Sequence, residues 1–145
     1  MSLSKLNDVR NFDQLACWQQ STDLACACYR LAKLFPKYEE RALCAQLRRA
    51  ATSVPATIAE GFGRGTQRDF ARFLYMARGS LLEAESHLLF AQKVGYLRAE
   101  DLANVFRIRL RAGRSLNGLI ARIHSQSRHS LPRGREPRGV DDSRR

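Results

Sequence analysis

The chain has 145 residues and a formal net charge of +11. That length suits one domain with a real core and is too short for two comfortable ones, and no apolar run approaches the ~20 residues needed to cross a bilayer. The charge excess favours a polyanionic partner over the plainer reading of a merely solubilising surface.

In chain order, residues 1–12 read as a polar N-terminal arm with Leu3, Leu6 and Val9 as its few apolar residues. The arm carries no apolar signal segment, which predicts a cytoplasmic protein with no membrane partner. Apolar residues at helical spacing predict a first helix over 13–35, with Leu15, Trp18, Ala25, Tyr29 and Ala32 on one stripe and Leu24, Cys28, Leu31 and Phe35 widening it. Pro36 closes it, because the residue before a proline avoids helical geometry. Glu39 and Glu40 then fall near the positive start of a second helix. Its core stripe is Leu43, Leu47, Ala50, Val54, Ile58 and Phe62, and a polar stripe runs through Gln46, Arg49, Ser53, Thr57, Glu60 and Arg64. The periodicity continues past Pro55, which predicts a kink rather than an end; Gly61, Gly63 and Gly65 read together as the stop.

Thr66 with Asp69 reads as a capping pair for a third helix over 67–94. Its core stripe is Phe70, Phe73, Leu74, Ala77, Leu81, Ala84, Leu88 and Ala91. A second stripe, Met76, Ser80, Glu83, His87, Phe90 and Val94, is too apolar for plain surface and predicts a subunit interface at Met76, Ser80, His87, Phe90 and Val94, or a seam with the second helix. Gly95 ends it. The fourth helix is expected over 99–124, with Leu102, Val105, Ala112, Leu116, Leu119, Ile120 and Ile123 inward. Arg109 falls among them and needs a carboxylate, with Glu60, Glu83 and Glu85 as candidates. Arg107, Arg111, Arg114 and Arg122 share the opposite side. Residues 125–145 carry proline, glycine, serine and arginine and little to bury, which predicts a disordered basic tail. The fold class is therefore all-α, an up-down-up-down antiparallel four-helix bundle over residues 13–124.

Arg49, Ala50 and Ala51, then Ser53, Val54 and Pro55, then Thr57 to Gly61, and later Ala77, Gly79, Ser80 and Glu83 resemble the motifs of a bacterial family. These are the four-helix-bundle proteins encoded in intervening sequences of 23S ribosomal RNA genes. The resemblance covers residues 12–123, and the main departure is Thr57, where the family usually has asparagine. It implies a homo-oligomeric ring, usually a pentamer. The family also includes accessory proteins of reverse transcriptases in diversity-generating retroelements, which implies RNA or DNA, and a reverse transcriptase, as partners.

Chemistry is sparse. Cys17, Cys26, Cys28 and Cys44 lack the spacing of a zinc or redox motif and read as small apolar residues in a reducing compartment. His87 and Glu83 offer only two ligands, and no Glu-x-x-His pair is present. There is no phosphate loop, nucleotide fingerprint or nucleophile elbow. The expectation is a non-enzyme with no catalytic residue, metal or cofactor. Arg48, Arg68, Arg107, Arg111, Arg114 and Arg122 are the candidate nucleic-acid contacts. Arg49, Glu60, Glu83 and Arg109 are the candidate internal polar network. A protein-binding scaffold without a nucleic-acid role is the competing function.

Overall fold

A computed structural model describes residues 8–129. Among them are four α-helices and no strand: α1 Ala16–Ala32, α2 Leu43–Phe62, α3 Gln67–Lys93 and α4 Ala99–His129. Two short 3₁₀ turns, Phe12–Gln14 and Lys37–Glu39, precede α1 and α2. Consecutive helices pack on one another, and α4 returns to pack on α1, so a helical bundle closes around one core. Leu24, Leu47, Val54, Ile58, Leu74, Leu81, Leu88, Leu102, Leu116 and Ile123 lie at its centre with essentially no exposure. All ten fall on the core-facing stripes expected of their helices, since a period of 3.6 returns every third or fourth side chain to one face.

The ends differ from the sequence expectation for local reasons. The first helix does not begin at 13: Asn11 caps a 3₁₀ turn, Leu15 is extended, and the α-helix starts at Ala16. Within the expected polar arm, Val9 and Phe12 already pack against the core, and Phe12 meets Trp18 edge-on at 5.3 Å. The second helix starts at Leu43, whose backbone N–H donates to the Glu39 carboxylate at 3.1 Å; the acid caps from outside rather than from the first turn. The helix runs unbroken through Pro55.

Gly61 is a correction of a different kind. It is buried inside α2 and is not part of the stop. A Cβ there would lie 2.5 Å from Phe73 Cβ, so the missing side chain lets α3 approach the backbone of α2. Termination falls to Gly63, which caps the last carbonyls, and to Gly65, whose φ of +81° suits glycine. Thr66 then caps α3 by accepting from the Asp69 N–H at 3.2 Å. At the other end, Tyr96 donates to Glu39 at 2.9 Å and meets Tyr38 at 3.1 Å, tying the α3–α4 loop to the α1–α2 loop. These bonds to the un-ionised hydroxyl push the Tyr96 phenol up, Tyr38 first and Glu39 next.

α4 continues past 124 to His129. This turn is helical without an apolar period to announce it, and within it the Ser125 and Ser127 hydroxyls donate to the Arg122 and Ile123 carbonyls at 2.8 and 3.1 Å. The rest of the expected tail, residues 130–145, lies outside the described residues, as do residues 1–7 of the arm. No helix among the described residues is long and apolar enough to cross a membrane.

Candidate nucleic-acid interface

Glu100 and Asp101 are the only acids of α4 and sit in its first turn, where the helix start favours them. From Leu102 to His129 the helix holds Arg107, Arg109, Arg111, Arg114, Arg122 and Arg128 and no carboxylate. Arg109 turns toward α3 and pairs with Glu85 at 2.6 Å. Both side chains are mostly enclosed, at 20% and 28% exposure, so the expected partnering of this arginine is met by one of its three candidate acids. Arg107, Arg111 and Arg114 are exposed and Arg122 half-buried. Among the described residues, the arginines in ion pairs are Arg48, Arg64, Arg72, Arg98 and Arg109. None of the four on the outer face of α4 is among them.

The remaining candidates separate. Arg48 is not a free cation: it forms an ion pair with Glu40 and lies over the Tyr29 ring at 5.5 Å. Its guanidinium holds the Glu40 carboxyl below the usual range, by hydrogen bonding first and by charge second. Glu40 sits eight residues back in an irregular turn, a pairing that no helical spacing foretells. Arg68 is exposed at the start of α3. This end lies beside the C-terminal end of α4, because Gln67 bonds Gln126 at 2.8 Å.

The four-residue polar network does not assemble. Arg49 is exposed, Glu60 pairs with Arg64 just past the end of α2 at 2.7 Å, and Glu83 lies 3.4 Å from His87 one turn along α3. The polar stripe of α2 faces outward, so its residues find local partners. Only Arg109 reaches across helices, and it takes Glu85.

On α3, Met76 and Phe90 are 51% and 54% exposed, Val94 is exposed, and Ser80 and His87 are half-buried. Leu82 and Leu89 are exposed as well, toward the other flank of the helix. An open, almost wholly apolar groove of about 710 Å³ lies between α1 and α2, with Trp18, Ala25, Tyr29, Pro55 and Ala59 along it. Trp18 and Tyr29 both line the groove; Trp18 is half-buried and packs against the core, as its stripe predicted, whereas Tyr29 is exposed.

Cys17, Cys28 and Cys44 are buried and Cys26 is exposed, all as free thiols. Burial pushes the Cys17 thiol up to about 11 and Cys28 up to about 12, the opposite of what a reactive thiolate needs. Among the described residues, no group of three His, Cys, Asp or Glu is placed to hold a metal ion.

The family model of the 23S rRNA-intervening sequence proteins matches residues 13–118. The chain belongs to this family. Its fold is similar to that of a protein of unknown function from the S23 ribosomal protein family of Bacteroides thetaiotaomicron, with a TM-score of 0.66 at 22% identity. The match covers 72% of this chain and 97% of that one. A comparison with curated proteins found no match.

Proposed function

We propose that this protein is a non-enzymatic, oligomeric accessory protein of the cytoplasm that binds RNA or DNA through the outer face of α4. The observation that carries this reading is the acid-free stretch of α4 from Leu102 onward: four arginines on one side, none neutralised by a carboxylate among the described residues. Arginines left unpaired along a rigid helix suit phosphate oxygens, which accept their forked donors. A solubilising surface needs no such segregation and normally mixes both signs. Few aromatics stand among these arginines, so contacts fall on the backbone and carry little sequence information. Arg68 extends the basic surface at the C-terminal end of α4, and Arg48, held by Glu40, contributes little.

In this reading the four helices run up-down-up-down, and the subunits form a closed homo-oligomer, a pentamer by family resemblance. The apolar surface of α3 and the α1–α2 groove support the assembly, since they have no residue in common and a head-to-tail ring needs two different surfaces that fit. A reverse transcriptase of a diversity-generating retroelement is the protein partner that the family resemblance suggests.

The test is a titration of fluorescent RNA and DNA of mixed sequence with the wild type, a chain ending at His129, and Arg107→Glu, Arg111→Glu and Arg114→Glu combined. Wild type is expected to bind both with little sequence preference, the shortened chain somewhat less tightly, and the triple variant far more weakly while still folded and oligomeric. Equal binding by a folded triple variant would give first place to the protein-scaffold reading.

A further inference from the structure

The α4 arginines do not stand on an open ridge. Beside them runs the seam where α4 packs on α1, and the seam is bridged near its middle by Ser115 donating to Gln20 at 2.6 Å. On one side of that bridge is a concavity of about 320 Å³, bordered by Arg114, Gly118 and Arg122 of α4 and by Leu15 and Cys17 of the α1 end. On the other is a concavity of about 480 Å³, bordered by Arg111 and Asn104 of α4 and by Arg30, Asp23 and Gln20 of α1. Arg30 is exposed and, among the described residues, is in no ion pair. It never entered the sequence candidates, because it belongs to the last turn of a helix read for its apolar stripe.

We infer that the α1–α4 seam is the track for a single-stranded nucleic-acid backbone, with phosphates in the two arginine-bordered concavities and Arg30 as a contact from the opposite wall. The inference rests on the nucleic-acid reading above and says where on the surface the strand lies. Arg111 and Arg122 are about 16 Å apart along the helix at 1.5 Å per residue, a span of several backbone units. Helices packed at ~8–10 Å between axes leave a cleft for one strand and not for a duplex. Gln20, Asn104 and Ser115 supply neutral hydrogen-bonding groups between the charges, as sugar hydroxyls require. Among the described residues, Asp23 is the one carboxylate bordering either concavity, and it opposes a phosphate there.

Gly118 makes the seam separable from the charge. A Cβ at that position meets nothing within 4 Å, so a side chain is added there without a clash at Cβ, and Gly118→Leu keeps every arginine while placing an apolar side chain on the border between Arg114 and Arg122. The experiment measures single-stranded RNA affinity against salt for the full chain and for Gly118→Leu, Arg30→Glu, Asp23→Asn and Arg41→Glu. Arg41 is exposed and borders neither concavity, so its change controls for net charge. Gly118→Leu and Arg30→Glu are each expected to weaken binding and to lower the salt slope by about 0.7, one single-strand phosphate. Asp23→Asn tightens binding, and Arg41→Glu leaves the slope as it was. If wild type binds no nucleic acid, the proposed function itself fails. If wild type binds and the Arg107, Arg111 and Arg114 substitutions abolish it, yet Gly118→Leu and Arg30→Glu match wild type, the strand lies outside the seam and this inference is overturned.

Discussion

Gly61 and Arg109 each depend on one contact across helices, and each gives a sharp expectation. At Gly61 a methyl group would meet Phe73 Cβ at 2.5 Å, with Phe70 also close. Alanine normally gains up to ~1 kcal/mol over glycine inside a helix, but overpacking between two backbones costs roughly 1–3 kcal/mol. Gly61→Ala is therefore expected to lower the urea midpoint, whereas Gly118→Ala, with open space around it, raises it. A stabilised Gly61→Ala would mean that α2 and α3 are not in backbone contact there. Arg109→Ala strands Glu85 with only partial access to water. Loss of a charge-assisted hydrogen bond of this kind costs about 1.5–3 kcal/mol, less than for a fully buried pair. Equal melting of the variant and wild type would show that the pair contributes nothing.

What was legible at this scale follows from range. Leu47, Leu74 and Leu116 announce themselves as core because each repeats with its own neighbours. Arg109 announces a need for a partner because it interrupts such a repeat. Gly61 looks like a helix stop because glycine's local meaning is termination; its meaning here is set by Phe73, twelve residues on. Arg48 looked free because Glu40 lies off its helix.

Among the elements, α4 is defined by the separation of its charges. Asp101 accepts the Arg98 backbone N–H at 2.8 Å and caps the helix start. That bond, and then the Arg98 guanidinium, hold its carboxyl below the usual range. A depressed carboxyl stabilises the fold above its unfolded pKa and loses that contribution as pH falls through the folded value. Asp101→Asn is expected to lower the urea midpoint at neutral pH and to flatten its decline below about pH 4. Parallel pH profiles for variant and wild type would show that the cap is not formed. The helix was legible from its apolar period and its arginine side from spacing. The expected bundle order sets it beside α1, but which side chains border that seam, Arg30 among them, could only come from the packed structure.

For the whole molecule, apolar surface stays exposed among the described residues at Met76 and Phe90 of α3 with Val94 at its C-terminal cap, and in the Trp18–Tyr29 groove between α1 and α2. Large exposed apolar patches mark interaction sites. Phe90→Glu is expected to shift the native mass from a closed oligomer to a single chain, and a wild type with the mass of one chain would end the ring reading. The α3 surface could be read from its excess of apolar residues. The widened apolar stripe of α1 was readable in the same way; that Trp18 and Tyr29 border a groove was not, since they share the spacing of core residues and differ only in what faces them.

The central claim is that the unpaired arginines of α4 bind a polyanion backbone, and its most direct measure is the salt dependence of RNA affinity. Each phosphate neutralised releases condensed counterion, so the slope of log affinity against log salt counts contacts. The wild-type slope is expected to be steep, and replacing Arg107, Arg111 and Arg114 by Glu together is expected to reduce it by roughly 2–3. An unchanged slope, measured on a triple variant shown to be folded and of native mass, would contradict the claim.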